Sequence, residues 1–170
     1  MMGLWHYATI DEPTAYGDPA TYPLAMAFLD GCETVEDWGC GTAYARQFCT
    51  GRYAGIDGSP SRFADKVADL RTYRSQSDGI LLRHVLEHNT DWALILANAV
   101  ASARQRLALV IFTPFAEKET HVIPGGGAIP DISFRKSDLT GLLVPFRVTE
   151  QELETGTWYD AETIFYCERP

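Results

Sequence analysis

Two segments of the sequence combine residue types and a spacing that suit a nucleotide-type ligand. The first is Asp37-Trp38-Gly39-Cys40-Gly41, at the end of a predicted strand, where small residues let the backbone approach a ligand closely. The second is Asp57, which follows Asp37 by 20 positions and ends the next predicted strand. At this spacing, nucleotide-binding sheets offer a carboxylate to ribose hydroxyls. The pair therefore favours a cofactor site over a tight turn beside an unrelated acid.

A third segment, His84-Val85-Leu86-Glu87-His88, also spells H-x-x-E-H, an inverted zinc-protease motif. On one helix, the two histidines could share a metal with Glu87 as the base. That hypothesis needs a further ligand downstream and leaves the glycine loop unexplained, so we expect no metal. His84 lies closest to a strand end and is the preferred pocket residue, whereas Glu87 and His88 could equally cap and pack a helix start.

The segment Glu117–Asp131 is predicted to be a flexible loop, because it holds two prolines and the run Gly125-Gly126-Gly127. We expect it to be mobile without ligand and to close over a substrate. His121 within it is a candidate proton acceptor or a plain exposed histidine. The N-terminal arm, residues 1–20, could likewise cover a ligand or merely pack; its aromatic neighbourhood comprises Trp5, His6, Tyr7, Tyr16 and Tyr22.

Secondary-structure elements must position these segments. Sequence patterns typical of strands and of helices alternate along the chain. Predicted strands are Thr34–Trp38, Tyr53–Ile56, Gly79–Leu82, Leu107–Phe112, Phe146–Leu153 and Thr163–Cys167. Predicted helices are Thr21–Leu29, Thr42–Cys49, Pro60–Val67, Asp91–Ala103 and Ser133–Leu143. Such alternation, followed by a final hairpin, predicts an α/β sheet that is mostly parallel and has one antiparallel edge.

Composition limits the class of protein. The 170 residues predict a single domain, and 46% apolar content is that of an ordinary globular chain. A net charge of −9 argues against nucleic acid as the main partner, since phosphate binding usually needs a basic surface. The longest strongly apolar run, Leu107–Phe112, is far shorter than the ~20 residues of a membrane span. Four cysteines without metal spacing, and an N-terminus unlike a signal peptide, predict a cytoplasmic protein with free thiols.

The motifs together resemble the class I, Rossmann-like S-adenosylmethionine-dependent methyltransferases. The first motif of that family, D-x-G-x-G, matches Asp37, Gly39 and Gly41, although Ala43 replaces the last glycine of its longer form. Asp57-Gly58-Ser59-Pro60 is similar to the family's second acidic motif, and Leu82–His88 resembles its H-V-L-E-H segment. The resemblance covers about Thr21–Pro170. It implies a compact variant of the methyltransferase sandwich, with a mostly parallel sheet and an antiparallel C-terminal strand.

The resemblance also implies roles for particular residues toward S-adenosylmethionine. Gly39, Cys40 and Gly41 would line the methionine part, and Asp37 would support its amino group. Asp57 would bind the ribose hydroxyls, with Gly58 and Ser59 beside the adenine. Asp69 would face the adenine amino group, or else be a solvated loop acid. Arg83 and His84 would lie at the methyl side.

The resemblance leaves the methyl acceptor open. The motif Asn-Pro-Pro-Tyr, which is associated with amino methylation of DNA bases, is absent from the sequence. The acidic composition favours an acceptor that is a small molecule, or a side chain on a carrier or protein, methylated on oxygen or nitrogen. The alternative is a non-catalytic module that binds the cofactor or a partner. A dinucleotide oxidoreductase is less favoured, because G-x-G-x-x-G lacks its third glycine here.

Overall fold

The computed structural model describes Tyr7, residues 10–124 and residues 129–170. A seven-stranded sheet is built from β1 (Thr34–Trp38), β2 (Arg52–Asp57), β3 (Lys66–Val67), β4 (Ser77–Arg83), β5 (Ala103–Ile111), β8 (Arg147–Glu154) and β9 (Ala161–Glu168). Its order is β3-β2-β1-β4-β5-β9-β8. Strands β1 to β5 pair in parallel, while β9 pairs antiparallel with both β5 and β8. The mostly parallel sheet with an antiparallel C-terminal edge is thus confirmed.

The register brings the three sequence motifs to one edge of this sheet. Trp38 at the end of β1 pairs with Ile56 of β2 and with Leu82 of β4. The glycine loop after β1, Asp57 at the end of β2 and His84 after β4 therefore lie at the same carboxyl edge of the sheet. In open α/β sheets this edge is where ligands bind.

Helices cover both faces of the sheet because successive strand residues point to opposite sides. Ile80 and Leu82 belong to a core shared with α2 (Trp92–Ser102) and α3 (Lys136–Leu142). Leu81 between them belongs to the core shared with α1 (Thr21–Phe28). Strand β4 is buried along its whole length, as expected for the centre of a sheet covered on two sides.

Two predicted helices near the site are wrong. Residues 39–76 contain no α-helix: the predicted Thr42–Cys49 helix is a 3-10 helix, Tyr44–Phe48, preceded by Ala43 with a left-handed φ of 55°. The predicted Pro60–Val67 helix is replaced by turns and β3. There the Asp65 carboxylate accepts the N–H of Gly55 at 2.7 Å, so the segment follows the β2 edge instead of coiling.

Two short strands that the sequence did not predict lie in and just after the segment 117–131. β6 (His121–Val122) pairs with β7 (Ile132–Ser133), so the predicted helix Ser133–Leu143 is limited to Lys136–Leu142. The predicted mobile run Gly125–Gly127 lies outside the described residues, as do Trp5 and His6. Within the described ranges, no helix is long and apolar enough to cross a membrane.

Candidate functional site

A cavity of about 950 Å³ opens at the carboxyl edge of β1, β2 and β4. Its volume is at the upper end of the roughly 300–1,000 Å³ range of small-molecule sites. Four segments form the wall: the glycine loop, the turn after β2, the loop after β3, and residues 83–91 after β4. The N-terminal arm closes one side with Ile10, Thr14, Ala15 and Tyr16.

The glycine loop needs glycine for two separate reasons. Gly39 has φ 78° and lies so close to Val85 that a Cβ would be 2.3 Å from its Cγ2 atom. Gly41 has φ 55°, in the left-handed region that glycine adopts at no steric cost. The N–H of Gly39 donates to Ile56 O at 2.7 Å, which fixes the loop against β2. The cavity wall at this point is therefore backbone.

Asp57 links the glycine loop to the turn after β2. Its two carboxylate oxygens accept the N–H of Gly41 at 2.9 Å and the N–H of Ser59 at 2.7 Å. Burial raises the pKa of Asp57, and the two backbone N–H groups oppose that shift. Each oxygen retains a second lone pair, so the carboxylate can still accept hydroxyl donors from a ligand in the cavity.

Asp37, which is predicted to support the cofactor's amino group, is not among the described residues that line the cavity. Its carboxylate is buried and accepts the Tyr53 hydroxyl. Burial raises the pKa of Asp37 to about 7, against the opposing effect of the Tyr53 hydrogen bond. The structure thus gives Asp37 a supporting place behind the glycine loop.

Asp69 does line the cavity, but its carboxylate is already engaged. Both of its oxygens accept the Arg71 guanidinium, at distances between 2.6 and 3.0 Å. These hydrogen bonds hold the pKa of Asp69 below its usual value. The Asp69 side chain is partly exposed, so the residue lies on the cavity wall and is also in contact with solvent.

Arg83, predicted at the methyl side, is buried and bonded to the protein. Its guanidinium donates to Tyr16 O and Asp18 O at 2.8 Å each, and to Glu162 Oε1 at 3.0 Å. The same group lies 3.9 Å above the Tyr22 ring. Arg83 therefore fixes the N-terminal arm to the sheet. Glu162 was not predicted as a site residue, and its only sequence signal is an acid next to the apolar residues of β9.

His84 lines the cavity but is directed toward the same buried acid. Its Nε2 is 2.7 Å from Glu162 Oε1, and burial lowers the pKa of His84 to about 4 although Glu162 opposes this shift. The residue has φ 54°, and only a short 3-10 helix, Leu86–His88, follows. The two histidines therefore do not share a face of an α-helix, as the zinc-protease hypothesis requires. The described residues contain no group of three His, Cys, Asp or Glu able to hold a metal.

His88 and His121 lie in different environments, and only the first is at the cavity. The His88 ring lines the cavity, with Nδ1 3.0 Å from Pro130 O and 3.3 Å from Asp131 Oδ1. His121 is exposed on β6, its Nδ1 is 2.9 Å from Glu119 O, and it does not line the cavity. The His88 partners lie more than 40 positions away in the sequence, so no local pattern predicts them.

These features define the chain as a Rossmann-like protein with the fold of the class I S-adenosylmethionine-dependent methyltransferases. No family model matches the chain, and no curated protein matches its sequence. The fold is similar to a 1,6-didemethyltoxoflavin-N1-methyltransferase from Burkholderia thailandensis, solved with 1,6-didemethyltoxoflavin and S-adenosylhomocysteine bound. The TM-score is 0.67 at 16% identity, covering 89% of this chain and 77% of the other.

Two further structures show the range of chemistry on this fold. Magnesium protoporphyrin IX methyltransferase from Synechocystis PCC 6803, with S-adenosylhomocysteine bound, gives a TM-score of 0.64 at 19% identity, covering 89% of this chain and 83% of the other. The [4+2]-cyclase SpnF gives 0.65 at 13% identity, covering 89% and 81%. At these identities the likeness establishes the fold alone.

Proposed function

We propose that the chain binds S-adenosylmethionine in the 950 Å³ cavity and methylates an oxygen or nitrogen atom of a small molecule or carrier-linked group. One observation carries this proposal: the buried Asp57 carboxylate and the close-packed glycine loop share a single cavity at the carboxyl edge of the sheet. Methyltransferases of the same fold have been solved with S-adenosylhomocysteine, the demethylated cofactor, bound.

The residues present fit such a cofactor. Asp57 keeps lone pairs for two ribose hydroxyls, and Gly58 and Ser59 adjoin it on the cavity wall. Leu70 and Ile95 add apolar surface suited to an adenine ring. Gly39, Cys40 and Gly41 form the backbone wall for the methionine part.

The chain's own contribution to methyl transfer is alignment and exclusion of water. The bound cofactor supplies an activated methyl group on a sulfonium, so no protein nucleophile is needed. The arm covers the site because Thr42 and Thr14 exchange hydrogen bonds at 2.7 and 3.0 Å, and because Arg83 holds Tyr16 and Asp18. A site covered on one side in this way lowers the barrier by holding the reacting atoms together.

A second candidate function is cofactor binding without methyl transfer. The SpnF structure carries a different named activity on this fold, and here two predicted cofactor residues, Asp37 and Arg83, are bonded to protein groups instead. A binder would retain affinity for the cofactor and transfer no methyl group to any acceptor.

Calorimetry with S-adenosylmethionine, S-adenosylhomocysteine and NAD tests the binding step. We expect both sulfur compounds to bind and NAD not to bind. In the Asp57→Ala variant, loss of charge-assisted hydrogen bonds should cost about 1.5–3 kcal/mol, or roughly 10- to 100-fold in Kd. Asp138→Ala is the matched control, because Asp138 lies away from the cavity and pairs with Arg135.

Two results would contradict the binding proposal. One is an absence of binding by both sulfur compounds at millimolar concentration to the folded wild-type chain. The other is an unchanged Kd in a folded Asp57→Ala variant. Transfer of a labelled methyl group to members of a metabolite panel then separates the enzyme from the binder.

A further inference from the structure

Exposed apolar side chains gather at the carboxyl edge of the sheet. Among the described residues, six large apolar side chains are about half exposed or more. Five of them lie at this edge and form what we call the apolar collar: Tyr16, Val67, Leu94, Val122 and Trp158. The sixth, Val144, precedes β8, whose first residues pair with the end of β9 at the opposite, amino edge. A concentration of exposed apolar side chains around a cavity marks an interaction site.

Three members of the apolar collar adjoin the cavity directly. Tyr16 of the arm and Val67 at the end of β3 both line the cavity. Leu94 lies in the first turn of α2, between Asp91 and Ile95, which are also part of the cavity wall. These side chains therefore form the part of the mouth made by the arm, β3 and α2.

The other two members extend the mouth beyond β5. Val122 lies on β6, whose partner strand β7 follows Pro130 of the cavity wall. Trp158 lies in the turn between β8 and β9 and is 87% exposed, although Thr157 before it is buried. The turn lies against the arm, because a Cβ on Gly17 would be 3.3 Å from Cγ2 of Thr157.

The apolar collar is wider than a small-molecule acceptor. From Val67 on β3 to the turn between β9 and β8, it crosses five to six strand spacings of about 4.8 Å each, or roughly 25 Å. A small molecule held in the cavity cannot contact both ends of such a surface. Exposed Trp and Tyr side chains are the types that carry much of the binding energy at protein interfaces. The width and the residue types thus favour a protein as the partner.

The periphery of the apolar collar is mainly acidic. Five exposed acids at this edge have no ion pair among the described residues: Glu12, Glu117, Glu119, Glu154 and Asp160. The arginines of the same edge, Arg62 and Arg71, are already paired with aspartates, which leaves Lys66 and Lys118 as the exposed basic residues. Such a periphery repels the anionic surface of a cytoplasmic membrane leaflet and attracts a basic partner.

We infer that the apolar collar docks a protein whose matching surface has an apolar centre and a basic periphery, and that this protein presents the methyl acceptor to the cavity. The inference rests on the proposed methyltransferase function and selects a protein-borne acceptor over a free small molecule. As the lone pair of the acceptor's oxygen or nitrogen forms the new bond to the methyl carbon, the electron pair of the broken C–S bond stays on sulfur. The acceptor's proton leaves to solvent.

Calorimetry with two synthetic amphipathic peptides tests this surface without the native partner. One peptide combines Lys and Leu in a helical pattern, and the other carries Glu in place of Lys. We expect the Lys peptide alone to bind, with an affinity that falls as the salt concentration rises from about 0.05 to about 0.3 M. Trp158→Ser should weaken its Kd roughly 10-fold. Val144→Ser, at the opposite edge, is the matched control and should leave the Kd within about twofold.

Two outcomes of the peptide test would overturn the inference. One is equal binding of the Lys and Glu peptides, and the other is an equal loss of affinity in Trp158→Ser and Val144→Ser. Vesicles of phosphatidylcholine test a lipid surface in the same way. We expect the chain not to bind them, and vesicle binding that is lost in Trp158→Ser would overturn the inference in favour of a membrane surface.

Methyl transfer from labelled S-adenosylmethionine in an extract of the native cells tests the acceptor. After separation of the extract by charge and size, we expect the label on protein of basic isoelectric point. Trp158→Ser should lower this labelling roughly 10-fold, and Val144→Ser should leave it unchanged. Label confined to small molecules, or equal labelling of protein by Trp158→Ser and the wild-type chain, would overturn the inference.

Binding of S-adenosylhomocysteine separates this inference from the proposed function. Failure of the wild-type chain to bind it would contradict the proposed function itself. Normal binding by the wild-type chain, combined with methyl transfer to small molecules alone, would remove the docking surface and leave the proposed function intact. We expect equal binding by the wild-type chain and Trp158→Ser, because Trp158 is not among the described residues that line the cavity.

Discussion

Glu87 is a buried acid with an altered proton affinity. It is fully buried, its Oε1 accepts the N–H of Phe112 at 2.8 Å, and burial raises its pKa to about 8 despite that hydrogen bond. The folded state therefore holds a proton that the unfolded state releases at a pH above about 4.5. Because the folded state binds more protons in this window, stability contributed by Glu87 falls as pH rises from about 4.5 through about 8.

Glu87→Gln should thus become more stable relative to the wild-type chain as pH rises. Glutamine can accept the same Phe112 N–H and does not ionise, so the difference should grow by at most about 1.4 kcal/mol per pH unit. Denaturant unfolding at pH 5, 6.5 and 8 measures it. Glu154→Gln, at an exposed position of β8, should show a pH-independent difference. A flat difference for Glu87→Gln as well would contradict its shifted pKa.

At the level of single residues, the sequence predicted what depends on local spacing. Gly39 follows β1 and Asp57 ends β2, so strand spacing alone brings them to one sheet edge. The place of Asp37 depends on alternation along β1, which turns its side chain to Tyr53. The contact of His88 with Asp131 is set by tertiary packing, which no local pattern encodes.

At the level of elements, Arg83 joins the arm, β4 and β9 through one guanidinium. It bonds Tyr16 O and Asp18 O of the arm and Glu162 of β9. We expect Arg83→Met to destabilise the fold by roughly 3–5 kcal/mol, because Glu162 would keep a buried charge without its cation. Hydrogen exchange at amides of residues 14–20 should accelerate in the same variant.

The double variant Arg83→Met/Glu162→Gln separates the lost charge from the lost arm contacts. Removing the buried carboxylate should restore part of the free energy of unfolding, while exchange in the arm should stay fast because the Tyr16 and Asp18 carbonyls still lack their donor. Arg52→Met, which breaks an exposed pair with Glu33, should change stability by less than about 1 kcal/mol. Equal effects of Arg83→Met and Arg52→Met would contradict the role of Arg83.

Long periodic elements were predicted well and short ones poorly. The predicted helix Asp91–Ala103 is Trp92–Ser102, since its apolar face packs on β4 and β5. The predicted helix Pro60–Val67 failed because side-chain and backbone bonds of Asp65 to Gly55 hold that segment along β2. Local propensity cannot anticipate such a tertiary contact.

At the level of the whole molecule, the cavity wall combines the segments that follow β1, β2, β3 and β4 with the arm, so a ligand there should stabilise the entire fold. At 100 times its Kd, S-adenosylhomocysteine should add about 2.7 kcal/mol to the free energy of unfolding. For a chain of this size, that corresponds to a rise in Tm of roughly 5–11 °C. Differential scanning calorimetry across a ligand series measures it.

The Asp57→Ala variant provides the decisive comparison for this linkage. With Kd weakened roughly 10- to 100-fold, the same ligand concentration should contribute only about 0.4–1.4 kcal/mol, because stabilisation grows with the logarithm of ligand over Kd. Asp138→Ala should retain the full wild-type shift. If the ligand raised Tm equally in the Asp57→Ala and wild-type chains, the stabilising site would lie elsewhere than the cavity at the ends of β1, β2 and β4.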